Sequence, residues 1–145
     1  MDSEDKYHFI SDNPSIYILT SRLESLFNAI DDERDAFLQM GNLLSSIPPR
    51  LYEKYNIQGL IYDRTQLVNK LTEELNSKIN PVDAWSLPHK EVEKQTEIKK
   101  FNTETYQIIA NKVTAIIDEL YIESEERKAA EEKLKEDYSS VRGIL

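Results

Sequence analysis

The chain has 145 residues, of which 39% are hydrophobic and 31% charged, with a formal net charge of −9 and no cysteine. This balance is too apolar for a disordered chain and too charged for a large globular core, and the absence of cysteine excludes a disulfide framework and a cysteine-based metal site. The acidic charge argues against nucleic-acid binding, because phosphate contacts need clustered Lys and Arg. Elongated helices fit this composition, and any charged partner is expected to present a basic protein surface.

The N-terminal residues show no signal-peptide pattern, and no apolar run approaches the roughly 18 residues of a membrane span. We therefore expect a soluble intracellular protein without membrane insertion, in either the cytoplasm or the nucleus. Residues 1–12 show no clear periodicity, and we interpret them as a flexible N-terminal arm.

A first helix is predicted over residues 14–46, because Asn13 is a good capping residue and Pro14 suits the first helical position. Apolar side chains recur along it in alternating steps of three and four, which indicates a helix packed lengthwise against other helices. The ten positions of this stripe are Ile16, Leu19, Leu23, Leu26, Ile30, Glu33, Phe37, Met40, Leu44 and Ile47.

Two prolines, Pro48 and Pro49, end the first helix, and a second is predicted to follow at once and to reach residue 79. Its apolar stripe is Leu51, Tyr55, Ile57, Leu60, Ile61, Leu67, Val68, Leu71, Leu75 and Ile79. The segment from Pro81 to Pro88 is predicted to be a loop, and it contains the only tryptophan, Trp85. A third helix is predicted from about residue 89 to about residue 141.

These elements predict an all-α fold: an antiparallel three-helix coiled-coil-like bundle over residues 13–120 with a long, protruding C-terminal helix, whose extended tail covers residues 121–145. Short connections also predict the register, because residues equidistant from a bend become neighbours. Arg64 should then meet both Glu33 and Thr105 in one polar layer. The same rule places Ile30, Leu26 and Leu23 beside Leu67, Leu71 and Leu75.

Motifs for catalysis or cofactor binding are scarce. His8 and His89 lack the spacing of metal ligands, and Gly41, Gly59 and Gly143 are too isolated to form a phosphate loop. The acidic run at residues 31–35 is interpreted as a solvated helix face. We therefore expect neither enzyme activity nor a metal or other cofactor.

Candidate partner-binding residues fall into two groups. Tyr52, Tyr55 and Trp85 carry large rings that either pack in the core or anchor an interface. The second group continues a helical stripe into the charged C-terminal stretch, where a partner helix would cover it. Its members are Leu120, Ala130, Leu134, Tyr138 and Val141.

The leading functional hypothesis is a non-enzymatic structural or assembly subunit of a larger helical complex, which binds partner helices through its coiled-coil seam and its C-terminal helix. The alternative is a self-contained homodimeric helical adaptor or regulator that recruits a short peptide of a basic partner protein. Under the first hypothesis, deleting residues 122–145 leaves the bundle folded and abolishes assembly.

Overall fold

The computed structural model describes residues 13–79 and 87–144, with side chains as far as Tyr138, and all regular structure in these ranges is helical. The helices are α1 (Pro14–Ala29), α2 (Glu33–Ser45), α3 (Pro49–Lys54), α4 (Ile57–Ser77) and α5 (Leu87–Ile144). The prediction of an all-helical chain with a long C-terminal helix is confirmed. The predicted arm at residues 1–12 and residues 81–86 of the predicted loop, which include Trp85, lie outside the described residues. The last two residues of that loop, Leu87 and Pro88, instead belong to α5.

The predicted single helix over residues 14–46 is wrong, since the structure has two helices there. Asn13 caps α1 as expected, because its side-chain oxygen accepts the Ser15 N–H at 3.2 Å. The break occurs at Asp32, which has φ −106° and ψ 104° and whose carboxylate accepts the Asp35 N–H at 3.1 Å. An aspartate at this position satisfies an N–H that the start of a helix leaves unpaired, and so α2 begins anew.

The helices α1 and α2 fold back on each other across this turn. The guanidinium of Arg22 donates to the carbonyl of Asn42 at 2.7 Å, which joins the middle of α1 to the end of α2. In α2 the buried residues are Ala36 and Leu43, whereas the predicted stripe had placed Phe37 on the inner face. Phe37 is instead 64% exposed, because folding back turns a different side of α2 toward α1.

The second predicted helix is also interrupted, in this case at Tyr55 and Asn56. Asn56 adopts the left-handed conformation, with φ 49° and ψ 48°, which separates the six-residue α3 from α4. Asparagine is one of the few residues that occupy this region at low cost. The chain therefore changes direction between Pro49 and Ile57 rather than continuing straight.

The helices α4 and α5 lie side by side, and one predicted contact between them is present. The Nε of Arg64 donates to the hydroxyl of Thr105 at 2.9 Å, and the guanidinium stacks on the ring of Phe101 at 3.9 Å from its centroid. The predicted ion pair of Arg64 with Glu33 is absent, since the exposed Glu33 instead accepts a bond from Asn102 at 3.1 Å. The interruption at Tyr55 and Asn56 is the physical reason, because it lies between Glu33 and Arg64 and changes the register on which that pair depended.

The hydrophobic core is concentrated around the middle of α5. Its buried residues come from α1, α2, α3, the segment that joins α2 to α3, the first residue of α4 and the central part of α5. They are Ile16, Leu19, Leu26, Ala36, Leu43, Ile47, Leu51, Ile57, Tyr106, Ile109, Val113, Ile116 and Leu120. Along residues 58–79 and 87–105 no side chain is fully buried. The α4 helix and the N-terminal part of α5 therefore extend away from the core as a helix pair.

Candidate partner-binding surface

The C-terminal part of α5 leaves the core after Ser124, which is the last buried residue among the side chains described as far as Tyr138. Lys128 is half-buried, and every side chain over residues 129–138 is exposed. From residue 128 to residue 144 the helix extends by about 24 Å at 1.5 Å per residue. Leu134 is 68% exposed on this projecting section, which we call the tail.

Two ion pairs between α3 and α5 fix the point at which the tail begins. Arg50 makes two bonds to the carboxylate of Glu123, and Lys54 bonds to Glu119. The hydrogen bond from Arg50 lowers the pKa of Glu123 below its usual value, because it stabilises the charged form. These pairs bind the short α3 to α5 at about one and a half and two and a half turns before the tail.

A cavity of about 220 Å³ lies between α2, α4 and α5. Its walls are mainly apolar, and they include Phe37, Met40, Ile61, Val68, Phe101 and Ile109. Arg64 also lines it, with a side chain only 16% exposed, and the nearest carboxylate, that of Glu104, is 4.0 Å away. The side of α2 that faces α4 and α5 is thus incompletely packed.

A second incompletely covered surface runs along α4. Leu67 is 48% exposed, and Val68, Leu71, Leu75 and Ile79 are only half-buried. We call these five residues the α4 stripe. The predicted register had placed α1 on this stripe, but α1 packs instead against α2 and the middle of α5.

The predicted partner-binding residues lie in different environments. Tyr52 and Tyr55 are half-buried against the core, and Leu120 is 2% exposed within it. Ala130, Leu134 and Tyr138 are exposed on the tail. Val141 belongs to α5, but its side chain and the whole of Trp85 lie outside the described residues. Among the side chains described, the predicted partner-binding residues that are exposed are therefore those beyond Lys128.

No group of three His, Cys, Asp or Glu side chains among the residues described lies close enough to hold a metal ion. His89 pairs with Glu93 at 3.0 Å on the surface of α5. Burial raises the pKa of Tyr106, and the charge of Glu33 raises it further. None of the five described helices is long and apolar enough to cross a bilayer.

Comparison of the chain with protein-family models, with curated proteins and with solved structures finds no match. The function must therefore be argued from the chain's own surfaces.

Two features of this region were not predicted from the sequence. The first is the contact in which the carboxylate of Glu123 accepts hydrogen bonds from Arg50. The cavity beside Phe37 arises because the chain turns at Asp32, and a capping aspartate followed by acidic residues was the one sequence signal for that turn.

Proposed function

We propose that this chain is a non-enzymatic structural or assembly subunit of a helical protein complex, and that the tail of α5 is the element that packs against a partner helix. Coiled-coil packing, both along the seams of the chain and with the partner, is part of this proposal. The observation that carries it is the exposure of Leu134 within residues 129–138 of α5, where every side chain is exposed.

Two physical arguments support a partner for the tail. An isolated helix with this charge content is marginally stable in water, because most helical stability in proteins comes from packing an apolar face. Ala130 and Leu134 are four residues apart and therefore lie on one side of the helix. Covering that side with a second helix removes apolar surface from water and stabilises both helices.

The experiment is a deletion that respects the observed contacts. Because Glu123 bonds to Arg50 and Ser124 is buried, the cut follows Lys128 and removes residues 129–145. We expect the shortened chain to retain its helical circular dichroism per residue and its cooperative melting. We also expect it to lose the partners that co-purify in fixed stoichiometry with the full chain from its native source.

A point variant and its matched control refine the test. Leu134→Gln removes the apolar side chain at an exposed position, whereas Lys133→Gln changes the neighbouring exposed residue on another side of the helix. We expect Leu134→Gln to weaken assembly and Lys133→Gln to leave it unchanged. Partner binding with unchanged stoichiometry by the chain that lacks residues 129–145 would exclude the tail as the interface.

Light scattering on the purified chain separates this function from the homodimeric adaptor. A stable dimer at micromolar concentration that requires Leu134 would identify the partner helix as a second copy of the tail. A chain that stays monomeric alone and binds through Leu134 only in the presence of other proteins is a subunit of a mixed complex.

A further inference from the structure

We propose that residues 14–46 interconvert between the α1–α2 hairpin and one continuous helix that lies along the α4 stripe and the N-terminal part of α5. This inference does not depend on the tail or on the function proposed for it. Three independent features of the chain support it: the pattern of apolar residues, the composition of the turn and the uncovered surface of α4.

The first feature is that the apolar stripe of residues 16–47 continues through the turn without a change of phase. In the hairpin, α2 buries Ala36 and Leu43, which are not members of that stripe. Phe37, Met40 and Leu44 are members, and they stay exposed or half-buried. A pattern that keeps its phase across a break fits a continuous helix better than two helices that use different faces.

The second feature is that the turn contains residues that a helix accepts. Neither glycine nor proline occurs between Ala29 and Glu33. Ile30 already has right-handed helical angles, with φ −62° and ψ −25°, whereas Asp32 is extended. The turn is stabilised locally by the bond from the Asp35 N–H to Asp32. Joining α1 to α2 in one helix therefore requires Asp32 to change from extended to helical backbone angles.

The third feature is that a site for the straightened helix already exists. Phe37 and Met40 of α2 line the same 220 Å³ cavity as Ile61 and Val68 of α4, so an open space separates these two helices. Glu33 is anchored to Asn102 of α5. A helix continued backward from Glu33 to residue 14 extends about 28 Å further.

This extension runs along the α4 stripe. It places Ile30, Leu26 and Leu23 beside Leu67, Leu71 and Leu75, which are the contacts that the sequence predicted. Movement of α2 toward α4 would at the same time fill the cavity beside Phe37.

The cost of forming the continuous helix is the loss of the site on α5 where α1 now buries Ile16, Leu19 and Leu26. The hairpin is therefore the resting form, and the continuous helix is the minor one.

Distances between spin labels distinguish the two forms, and the absence of native cysteine makes specific labelling simple. Ser21, Glu93 and Asp118 are exposed positions on α1 and α5. In the hairpin, Ser21→Cys and Asp118→Cys lie under about 20 Å apart, whereas the continuous helix separates them by about 42 Å along the axis of α5. The pair Ser21→Cys and Glu93→Cys changes in the opposite direction, from about 27 Å to under about 20 Å.

Two variants shift the equilibrium in opposite directions. Asp31→Ala with Asp32→Ala removes the cap of α2 and raises helix propensity at the turn, so we expect the population with the 42 Å separation to rise about fivefold or more. We expect Glu33→Pro to favour the hairpin over the continuous helix. Proline is tolerated at the first position of α2, and Asp32 already has the extended conformation required before proline. In a continuous helix the same proline would be internal and disruptive.

Pulsed electron paramagnetic resonance on the full chain measures both label pairs. We expect the long Ser21–Asp118 distance to be minor in the unaltered sequence, enriched by the alanine pair and absent in Glu33→Pro. If the alanine pair compromises folding, the population of the long Ser21–Asp118 distance is compared between the unaltered sequence and Glu33→Pro under the same conditions. The absence of the 42 Å component from both the unaltered sequence and the alanine variant overturns the proposal.

Discussion

Arg50 and Glu123 form a two-bond ion pair across 73 positions of sequence, with Nη1 to Oε1 at 2.9 Å and Nη2 to Oε2 at 2.5 Å. This geometry matches a planar guanidinium to a carboxylate and fixes the orientation of α3 on α5. Both side chains are substantially exposed, so solvent screens the pair and its effect on stability is small. Its main consequence is positional, because it lies where the tail leaves the core.

The first prediction concerns the pH dependence of this pair. The pKa of Glu123 is lowered from 4.5 in the folded chain, mainly by the bond from Arg50. A lowered folded-state pKa gives a stabilisation that is present above the unfolded pKa and is lost as the pH falls through the folded value. We expect Glu123→Gln to lower Tm by a few degrees near neutral pH and to melt like the parent at strongly acidic pH.

Thermal unfolding of parent and variant between pH 7 and pH 2.5 checks this, with Glu126→Gln as a control at an exposed position on the same helix. A difference between the parent and Glu123→Gln that stays constant across the range would contradict the assigned role of the carboxylate. High salt should reduce the difference at pH 7, since the pair is exposed.

The second prediction tests which side of α2 is buried in the resting form. Leu43 is fully buried, whereas Phe37 is mostly exposed. We expect Leu43→Ala to lower the free energy of unfolding by about 2–5 kcal/mol, because it leaves a cavity in the core. Phe37→Ala should cost about 0.5 kcal/mol or less. Urea unfolding measures both, and a larger loss for Phe37→Ala would show that α2 buries the face predicted from periodicity.

The third prediction uses double-mutant cycles around Arg64. Arg64 donates to Thr105, and so Arg64→Leu and Thr105→Val should be coupled by about 1 kcal/mol. Glu33 bonds to Asn102 instead, so Glu33→Leu and Arg64→Leu should be additive within about 0.5 kcal/mol. Strong coupling in both cycles would restore the polar layer predicted from sequence, in which Arg64 meets Glu33 as well as Thr105.

The fourth prediction concerns the turn between α3 and α4. A Cβ added at Gly59 would lie 2.4 Å from the side-chain nitrogen of Asn56, which would have to move. We expect Gly59→Ala to be less favourable in the parent than in an Asn56→Gly background, where it should stabilise by up to about 1 kcal/mol. Gly41→Ala is the control, since a Cβ there meets nothing within 4 Å and should act independently of Asn56.

Periodicity predicted the helical character of the chain and one contact between helices, but it did not predict the breaks at Asp32 and Asn56 or which helices pack together. Arg64 meets Thr105 as expected, because α4 and α5 have one short connection and neighbouring positions follow from it. The partner of residues 14–29 was wrong, because an apolar stripe has the same spacing whichever helix covers it. The hairpin depends on Asp32 as a cap and on the small residues Ala29 and Ala36, which let α1 and α2 approach closely.

The candidate partner-binding surface was predicted only in part, because the spacing of apolar residues does not show which of them the core buries. Exposed apolar residues such as Leu134 on a charged helix can be recognised from spacing alone. Leu120 belongs to the same stripe but lies in the core, since the distinction depends on where α1 and α3 end in space. The contact between Arg50 and Glu123 joins distant parts of the chain, and nothing local to either residue specifies it.

Because α5 is unbroken, it also fixes the rotation of the tail about the helix axis relative to the core. Leu134 follows Leu120 by 14 positions, so at 100° per residue it lies about 40° around the helix from a side chain anchored in the core. A one-residue insertion between them would turn the tail by about 100°, whereas seven residues would turn it by only about 20° and lengthen it by about 10 Å. A partner that contacts both the core and the tail must therefore match the angular position of the tail side chains around the axis of α5 as well as the length of that helix.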